Sequence, residues 1–344
     1  MIDLGKPSEK EVAVRAFVVK EYKGPVQQAD VPEPVVGEHD VLVQVRAAGL
    51  NLLDEKIRAG ELKQILKYKL PQILGNDVAG TVLGVGPKVQ GFRPGDEVYA
   101  RPGKDRIGTF AERIAVAEDD LALKPVSVSL EEAASLPLVA LTAWQALVER
   151  GNLQPGQRVL IHAGSGGVGT IAIQLAKYLG ATVATTVSSG NADFVRELGA
   201  DFVIDYRSQD FEQLVEGYDL VLDSLGGKNL EKSLRVLRPG GKAIGIAGPP
   251  DAAFGRELGA NAVLRLVMGA LSSRIRRQAR RLGVTYEFLF MRASGDQLRR
   301  ITALVDSGVL RPVVGRVFDF DQTVQAVQSL DKGGIRGKAV ISRP

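Results

Sequence analysis

RVLIHAGSGGVGTIAIQLAKYLGATVATTV, residues Arg158 to Val187, contains two strand-like runs joined by a glycine turn and a helix. Arg158–His162 is an apolar run of strand length. Gly167–Leu179 repeats apolar residues at helical spacing, and Thr182–Val187 is strand-like again. Between the first two lies Gly164-Ser165-Gly166-Gly167-Val168-Gly169, which fits G-x-G-x-x-G in the strand-to-helix context that gives the glycines a physical task. Gly164 permits the tight turn, Gly166 lets backbone approach a pyrophosphate, and Gly169 allows close helix–strand packing. The helix N-terminus attracts the phosphate charge. The stretch predicts a dinucleotide site on a parallel sheet. Gly84-Val85-Gly86 repeats G-x-G, but Pro87 and a turn-rich segment follow, so it predicts only a turn.

Strand and helix patterns keep alternating downstream. A helix over Ala192–Leu198, a strand over Phe202–Ile204 and a helix near Phe211 come first. A strand at Asp219–Leu222, a helix at Leu230–Leu237, a strand at Lys242–Ala247 and a further strand within Val284–Phe290 follow. This is the pattern of a doubly wound α/β sheet. Upstream, Val12–Val19, Val41–Val45, Gly80–Val85 and Glu97–Tyr99 read as short strands broken by Pro32, Pro34, Pro87 and Pro94, which predicts a small β-rich barrel. Leu130–Arg150 has helical spacing. Gln297–Ser307, Val313–Phe318 and Lys338–Ser342 form a mixed tail that returns to the first domain. The expected division is 1–126 with 291–344 as the substrate domain, and 127–290 as the dinucleotide domain.

The 344 residues include no cysteine and two histidines, His39 and His162, which share no metal-ligand spacing. Thiolate zinc sites, iron–sulfur clusters and thiol nucleophiles are thereby excluded. His39 is expected in a solvated turn and His162 at the sheet edge. The net charge is +4, and five arginines fall between Arg274 and Arg281. Outside that cluster there is no basic face of the kind duplex DNA requires, and nucleic acid is not an expected partner. Segment 264–284 reads as a helix with Leu264, Val267, Met268, Leu271, Ile275 and Leu282 on one apolar face and arginines opposite. The preferred reading is a connecting or dimer-interface helix, with membrane association as the alternative. No 18-residue apolar run exists and the first twelve residues lack a signal-peptide core, so a cytoplasmic protein is expected.

The second strand ends Val187-Ser188-Ser189-Gly190-Asn191 with no acid before Asp193. An acid there would bind the ribose 2′-hydroxyl of NAD, so its absence favours NADP(H). Arg207, Arg336 and Lys338 are the cations that tertiary contact could bring to the 2′-phosphate.

Taken in order, these blocks resemble the zinc-independent medium-chain dehydrogenase/reductases, and within them the NADPH:quinone and alkenal/enone reductases. The blocks are Ala48–Gly60, Gly75–Gly80, Pro94–Val98, Gly108–Glu112, Leu136–Ala143, the glycine loop, Leu198–Asp201 and Asp223–Gly227. The resemblance spans about Val14 to Ser342 and implies a GroES-like barrel domain beside the Rossmann sheet. Zinc-containing members place Cys where Asn51 stands and His where Asn76 stands, so no metal is expected here. The resemblance implies catalytic roles for Asn51, Asp54, Lys56 and Thr142. It implies cofactor contacts for Ser165, Gly167, Val168, Ser188, Tyr206, Ser224, Ile246, Leu289, Met291, Gly334, Ile335, Arg336 and Lys338. By residue type alone, Asn51 is equally an N-cap, Asp54 and Lys56 an exposed helical charge pair, and Thr142 a helix residue bonded to its own turn. The expected reaction is metal-free hydride transfer from NADPH to a quinone or α,β-unsaturated carbonyl, with the final proton from solvent and a homodimer as the family's habit. An enoyl-thioester reductase, or a weakly catalytic NADPH-binding protein on membrane or RNA, is the alternative.

Overall fold

The computed structural model describes residues 13–330 and 333–343. The reading of the first twelve residues, Val12 included, lies outside the described part. The chain forms two compact units, one ending at Leu141 and resuming at Arg292, the other Thr142–Met291.

In the second unit, six parallel strands stand in the spatial order Phe202–Asp205, Thr182–Val187, Arg158–Ile161, Tyr218–Asp223, Leu237–Gly245 and Thr285–Phe288. Numbered along the chain this is 3-2-1-4-5-6, the Rossmann arrangement. Its strands are apolar on both faces because helices cover both. Leu160, Ala184, Val221 and Ala243 are buried in the sheet, and Leu230 and Leu234 close one side. The order reverses between Arg158–Ile161 and its two neighbours, and the glycine loop leaves the sheet at that switch point.

In the first unit the long strand Asp40–Gly49 is the hub. It pairs antiparallel with Val78–Val85, Arg113–Ala117 and Lys338–Ser342, the last placing Val340 opposite Gly49. The C-terminal tail therefore does complete this unit's sheet. A smaller sheet joins Val14–Val19 to Val26–Val31 and Gln72–Ile73.

Three local readings are corrected. Leu130–Arg150 is not one helix: Pro137, which has no N–H to donate, starts a new helix at Pro137–Trp144 after Leu130–Ala134, and a π-helical turn Gln145–Arg150 follows. The passage between units falls inside Pro137–Trp144, because Leu130–Ala134 packs on the first unit's strands. The helix near Phe211 is a single 3-10 turn, Phe211–Gln213. Segment 264–284 is two helices, Ala262–Leu271 and Ser273–Arg281, and the proposed apolar face is not one face. Met268 and Ile275 are buried, whereas Val267, Leu271 and Leu282 are exposed.

Candidate active site

The glycine loop is built as its spacing predicts. Gly166 caps the helix Gly167–Tyr178 with extended backbone. A Cβ on Gly164 would lie 2.1 Å from Thr185 Oγ1, and one on Gly169 would lie 2.4 Å from the Ala163 carbonyl oxygen. Both positions exclude any larger residue. Ala163, just before the loop, has φ 53°, a left-handed conformation that costs a non-glycine residue about 1 kcal/mol or more.

What holds that strained turn is a buried network the sequence reading missed. Ala163 N–H donates to Thr186 Oγ1 and Gly164 N–H to the Thr186 carbonyl. Thr186 Oγ1 lies 3.0 Å from His162 Nδ1, His162 Nε2 lies 2.9 Å from Ser233 Oγ, and Ser233 Oγ is within reach of both Asp223 Oδ2 and the Asn229 carbonyl. Ser233 has one hydroxyl hydrogen and two partners that only accept. His162 Nε2 must therefore carry the hydrogen it shares with Ser233, and Nδ1 accepts from Thr186. Burial lowers the His162 pKa, opposed in part by Asp223, so the ring is neutral. His162 is thus at the sheet edge as expected, but enclosed and edge-on to Phe211.

Around the loop, the ends of the first three strands converge. Asn191 Nδ2 lies 3.2 Å from both Ser165 Oγ and Ser188 Oγ, linking the glycine turn to the end of the second strand. The Tyr206 N–H donates to the Val187 carbonyl, which brings Arg207 to the same edge, where its guanidinium lies 6.0 Å from the Tyr206 ring centroid. Tyr206 and Arg207 are exposed. The Asp205 carboxylate nearby accepts from Arg207 N–H and Ser208 Oγ, and these bonds lower its pKa. Ser224 Oγ donates to the His162 carbonyl, and Ile246 N–H to the Asp223 carbonyl. Leu289 and Met291 are buried within this unit.

In the first unit the strand Asp40–Gly49 delivers Asn51 to the start of the helix Leu52–Arg58. Asn51 is the N-cap, and its backbone N–H donates to the carboxylate of Asp54, the third residue of the helix. Its Nδ2 donates to Asp77 Oδ2 at 2.9 Å and to the Gly49 carbonyl at 3.3 Å. Its Oδ1 accepts from Lys338 Nζ at 2.5 Å, and the same ammonium donates to the Leu50 carbonyl and to Asp77 Oδ2. Asp54 accepts from Asn51 N–H and from Asn76 Nδ2, and burial raises its pKa to about 7.

Asp54 and Lys56 are therefore not an exposed charge pair: two residues apart on a helix they face different ways, Asp54 fully buried and Lys56 exposed. Lys338 is 6% exposed and bonded to three oxygens, so its ammonium is committed inside this unit rather than offered to a phosphate. Gly334, Ile335 and Arg336 precede it on the same unit, with Arg336 exposed. Thr142 is buried in the helix Pro137–Trp144.

Arg101 was not singled out by sequence, because nothing local marks it. It is fully buried, and its Nε and one Nη, with Asn76 Oδ1 and Thr109 Oγ1, are the buried side-chain atoms without a hydrogen-bond partner among the described residues. Asn76 and Arg101 flank the paired residues Val78 and Ala100, and Thr109 adjoins Gly75, so these orphaned groups belong to one region beside Asn51.

Residues 37–126 match the family described as alcohol dehydrogenase GroES-like domain, and 198–341 the family described as zinc-binding dehydrogenase. The residues do not fit zinc. Two carboxamides occupy the positions of the expected Cys and His, and the Lys338 ammonium already sits against Asn51 and Asp77. The chain is 37% identical over 325 residues to NAD(P)H oxidoreductase RTN4IP1, mitochondrial, of Danio rerio, covering 88% of this chain and 84% of that one. It is 33% identical to the NADPH-dependent alkenal/one oxidoreductase, chloroplastic, of Arabidopsis thaliana, covering 95% and 79%. Among solved structures, the quinone oxidoreductase from Coxiella burnetii superposes with a TM-score of 0.84 at 31% identity, covering 97% of this chain and all of that one.

Proposed function

The chain belongs to the medium-chain dehydrogenase/reductase family and is an NAD(P)H oxidoreductase of the quinone and alkenal/one reductase type, and we propose that it transfers hydride from NADPH to quinones or α,β-unsaturated carbonyls. The observation that carries the cofactor choice is the edge formed by Ser188, Asn191, Tyr206 and Arg207. The Asn191 amide joins the Ser165 and Ser188 hydroxyls there, Arg207 lies by Tyr206 at the end of the neighbouring strand, and Ser188 stands where NAD enzymes place an acid.

When bound, NADPH supplies the hydride from its reduced nicotinamide ring. The glycine loop holds the pyrophosphate through backbone N–H groups and the helix N-terminus. The His162–Thr186 network keeps that loop in place. In the first unit, Asn51, Asp54, Asn76, Asp77 and Lys338 form a buried, hydrogen-bonded base in which the Asn76 side-chain carbonyl oxygen alone lacks a partner among the described residues. Both amide hydrogens of Asn51 are used within it, so Asn51 acts as a positioning residue. The exposed Lys56 ammonium is the group we assign to the oxygen on which negative charge develops. A conjugated acceptor needs no Lewis acid, which agrees with a unit in which the Lys338 ammonium lies against Asn51 and Asp77.

Product analysis tests the reaction class. With nicotinamide-deuterated NADPH and a short enal, deuterium should appear at the β-carbon of the saturated aldehyde. Deuterium at the carbonyl carbon, giving an allylic alcohol, overturns the reading.

A further inference from the structure

We infer that the helix pair Ala262–Leu271 and Ser273–Arg281 is a docking surface for an anionic lipid bilayer. This inference is independent of the reaction proposed above. The two helices are nearly one. Ser272 between them keeps right-handed helical backbone (φ −86°, ψ −3°), Ser272 N–H donates to the Met268 carbonyl, and Arg276 N–H to the Ser272 carbonyl. At ~100° per residue, Met268, Ser272, Ile275 and Ala279 fall on one arc, and all four are buried.

The opposite arc begins with Val263, Leu266, Val267, Ala270 and Leu271 and continues through Arg274, Arg277 and Arg281. Val263 is 71% exposed, Leu266 75% and Leu271 60%. The outward face is thus an apolar stripe for two turns and cationic for the next two. Amphipathic helices of a soluble core normally show the reverse, with leucines inward.

Charge selects the occupant. Residues 262–281 hold six arginines and no acidic residue, more than the chain's entire net charge of +4. One of them, Arg274, is paired with Glu231 at the surface. A second copy of this segment could cover the leucines but has no carboxylate to offer the arginines. An anionic lipid surface meets both halves, with acyl chains for the stripe and phosphates for the guanidinium groups.

Co-sedimentation of the full chain with vesicles of phosphatidylcholine, alone or mixed with phosphatidylglycerol, tests this. Binding to the anionic vesicles should be at least about tenfold tighter, and should weaken as salt rises from about 0.05 to about 0.5 M. Leu266→Ser with Leu271→Ser should abolish it, and Arg277→Gln with Arg281→Gln should weaken it about tenfold or more. NADPH-dependent turnover of a water-soluble acceptor should be unchanged in both variants, which shows that they fold. No binding, equal binding to both vesicle types, or binding untouched by the leucine substitutions overturns the inference. So does self-association of the wild type that Leu266→Ser with Leu271→Ser dissolves, because the stripe is then covered by a second copy.

Discussion

The Lys338 ammonium donates to Asn51 Oδ1 at 2.5 Å, joining the last strand of the chain to the loop that follows Asp40–Gly49. Lys338 also contacts Asp77 at 3.2 Å with both side chains buried. A charge enclosed in this way is expensive to strand: removing one partner of a buried pair costs about 3–5 kcal/mol. Lys338→Met should therefore lower unfolding stability in urea by about that amount and reduce turnover, whereas Asn51→Ala should cost less because Lys338 keeps Asp77 and the Leu50 carbonyl. Equal stability of Lys338→Met and wild type would show that the ammonium is solvated.

Asp54 gives the protein a pH signature. Burial holds its carboxyl at about 7, against an ordinary value of 3.8, so the folded chain keeps a proton that the unfolded chain releases. This contribution to stability is complete below pH 3.8 and is lost as pH rises through about 7. At about 1.4 kcal/mol per pH unit the loss amounts to a few kcal/mol. Asp54→Asn, which does not titrate, should show a flatter stability profile over that window. Parallel profiles would place the ionised form in the native state throughout.

His162 acts with the opposite sign. Its folded pKa lies below the ordinary 6.5, so its contribution to stability is present above 6.5 and is lost as pH falls from there through the lower folded value. His162→Gln retains a donor and an acceptor without the titration and should remove the acid-side slope while leaving NADPH affinity nearly intact. His162→Ala leaves Thr186 and Ser233 short of a partner and should weaken NADPH binding about tenfold, corresponding to about 1.4 kcal/mol. Unchanged NADPH binding by His162→Ala would detach this network from the glycine loop.

Cofactor choice is tested at the end of the second strand. Ser188→Asp places a carboxylate beside the Asn191 amide, where it repels a 2′-phosphate and accepts from a ribose hydroxyl. The NADPH-to-NADH preference should fall by about tenfold or more, and Arg207→Ala should lower NADPH affinity with little effect on NADH. A preference that does not move in either variant removes this edge from the 2′-phosphate site.

Periodicity carried the Rossmann half of the molecule. Apolar strands alternating with helices and a glycine loop in context need only local rules, and the strand order follows from right-handed crossovers. The pairing of Lys338–Ser342 with Asp40–Gly49 was legible only as a tail with nowhere else to go. The site was legible as positions rather than as chemistry. Asn51, Asp54 and Lys338 were singled out, but their hydrogen bonds cross spans as long as 288 residues, and no spacing rule reveals which amide hydrogen goes to which carboxylate. Arg101 and His162 show the same limit, since burial and unmet hydrogen bonds exist only after folding. The 264–284 stripe failed for a different reason: six apolar residues were consistent with one face, and only the packing of Met268 and Ile275 shows that the inward face is rotated away from Val267 and Leu271.

The most direct test of the proposed reaction is the rate of nicotinamide oxidation by the purified chain with an ortho-quinone, a short enal and an enoyl thioester in parallel, each with NADPH and with NADH. Turnover of the quinone or the enal that prefers NADPH by about tenfold or more is the expected result. Turnover confined to the thioester, equal use of NADH, or tight NADPH binding without oxidation by any acceptor would contradict it.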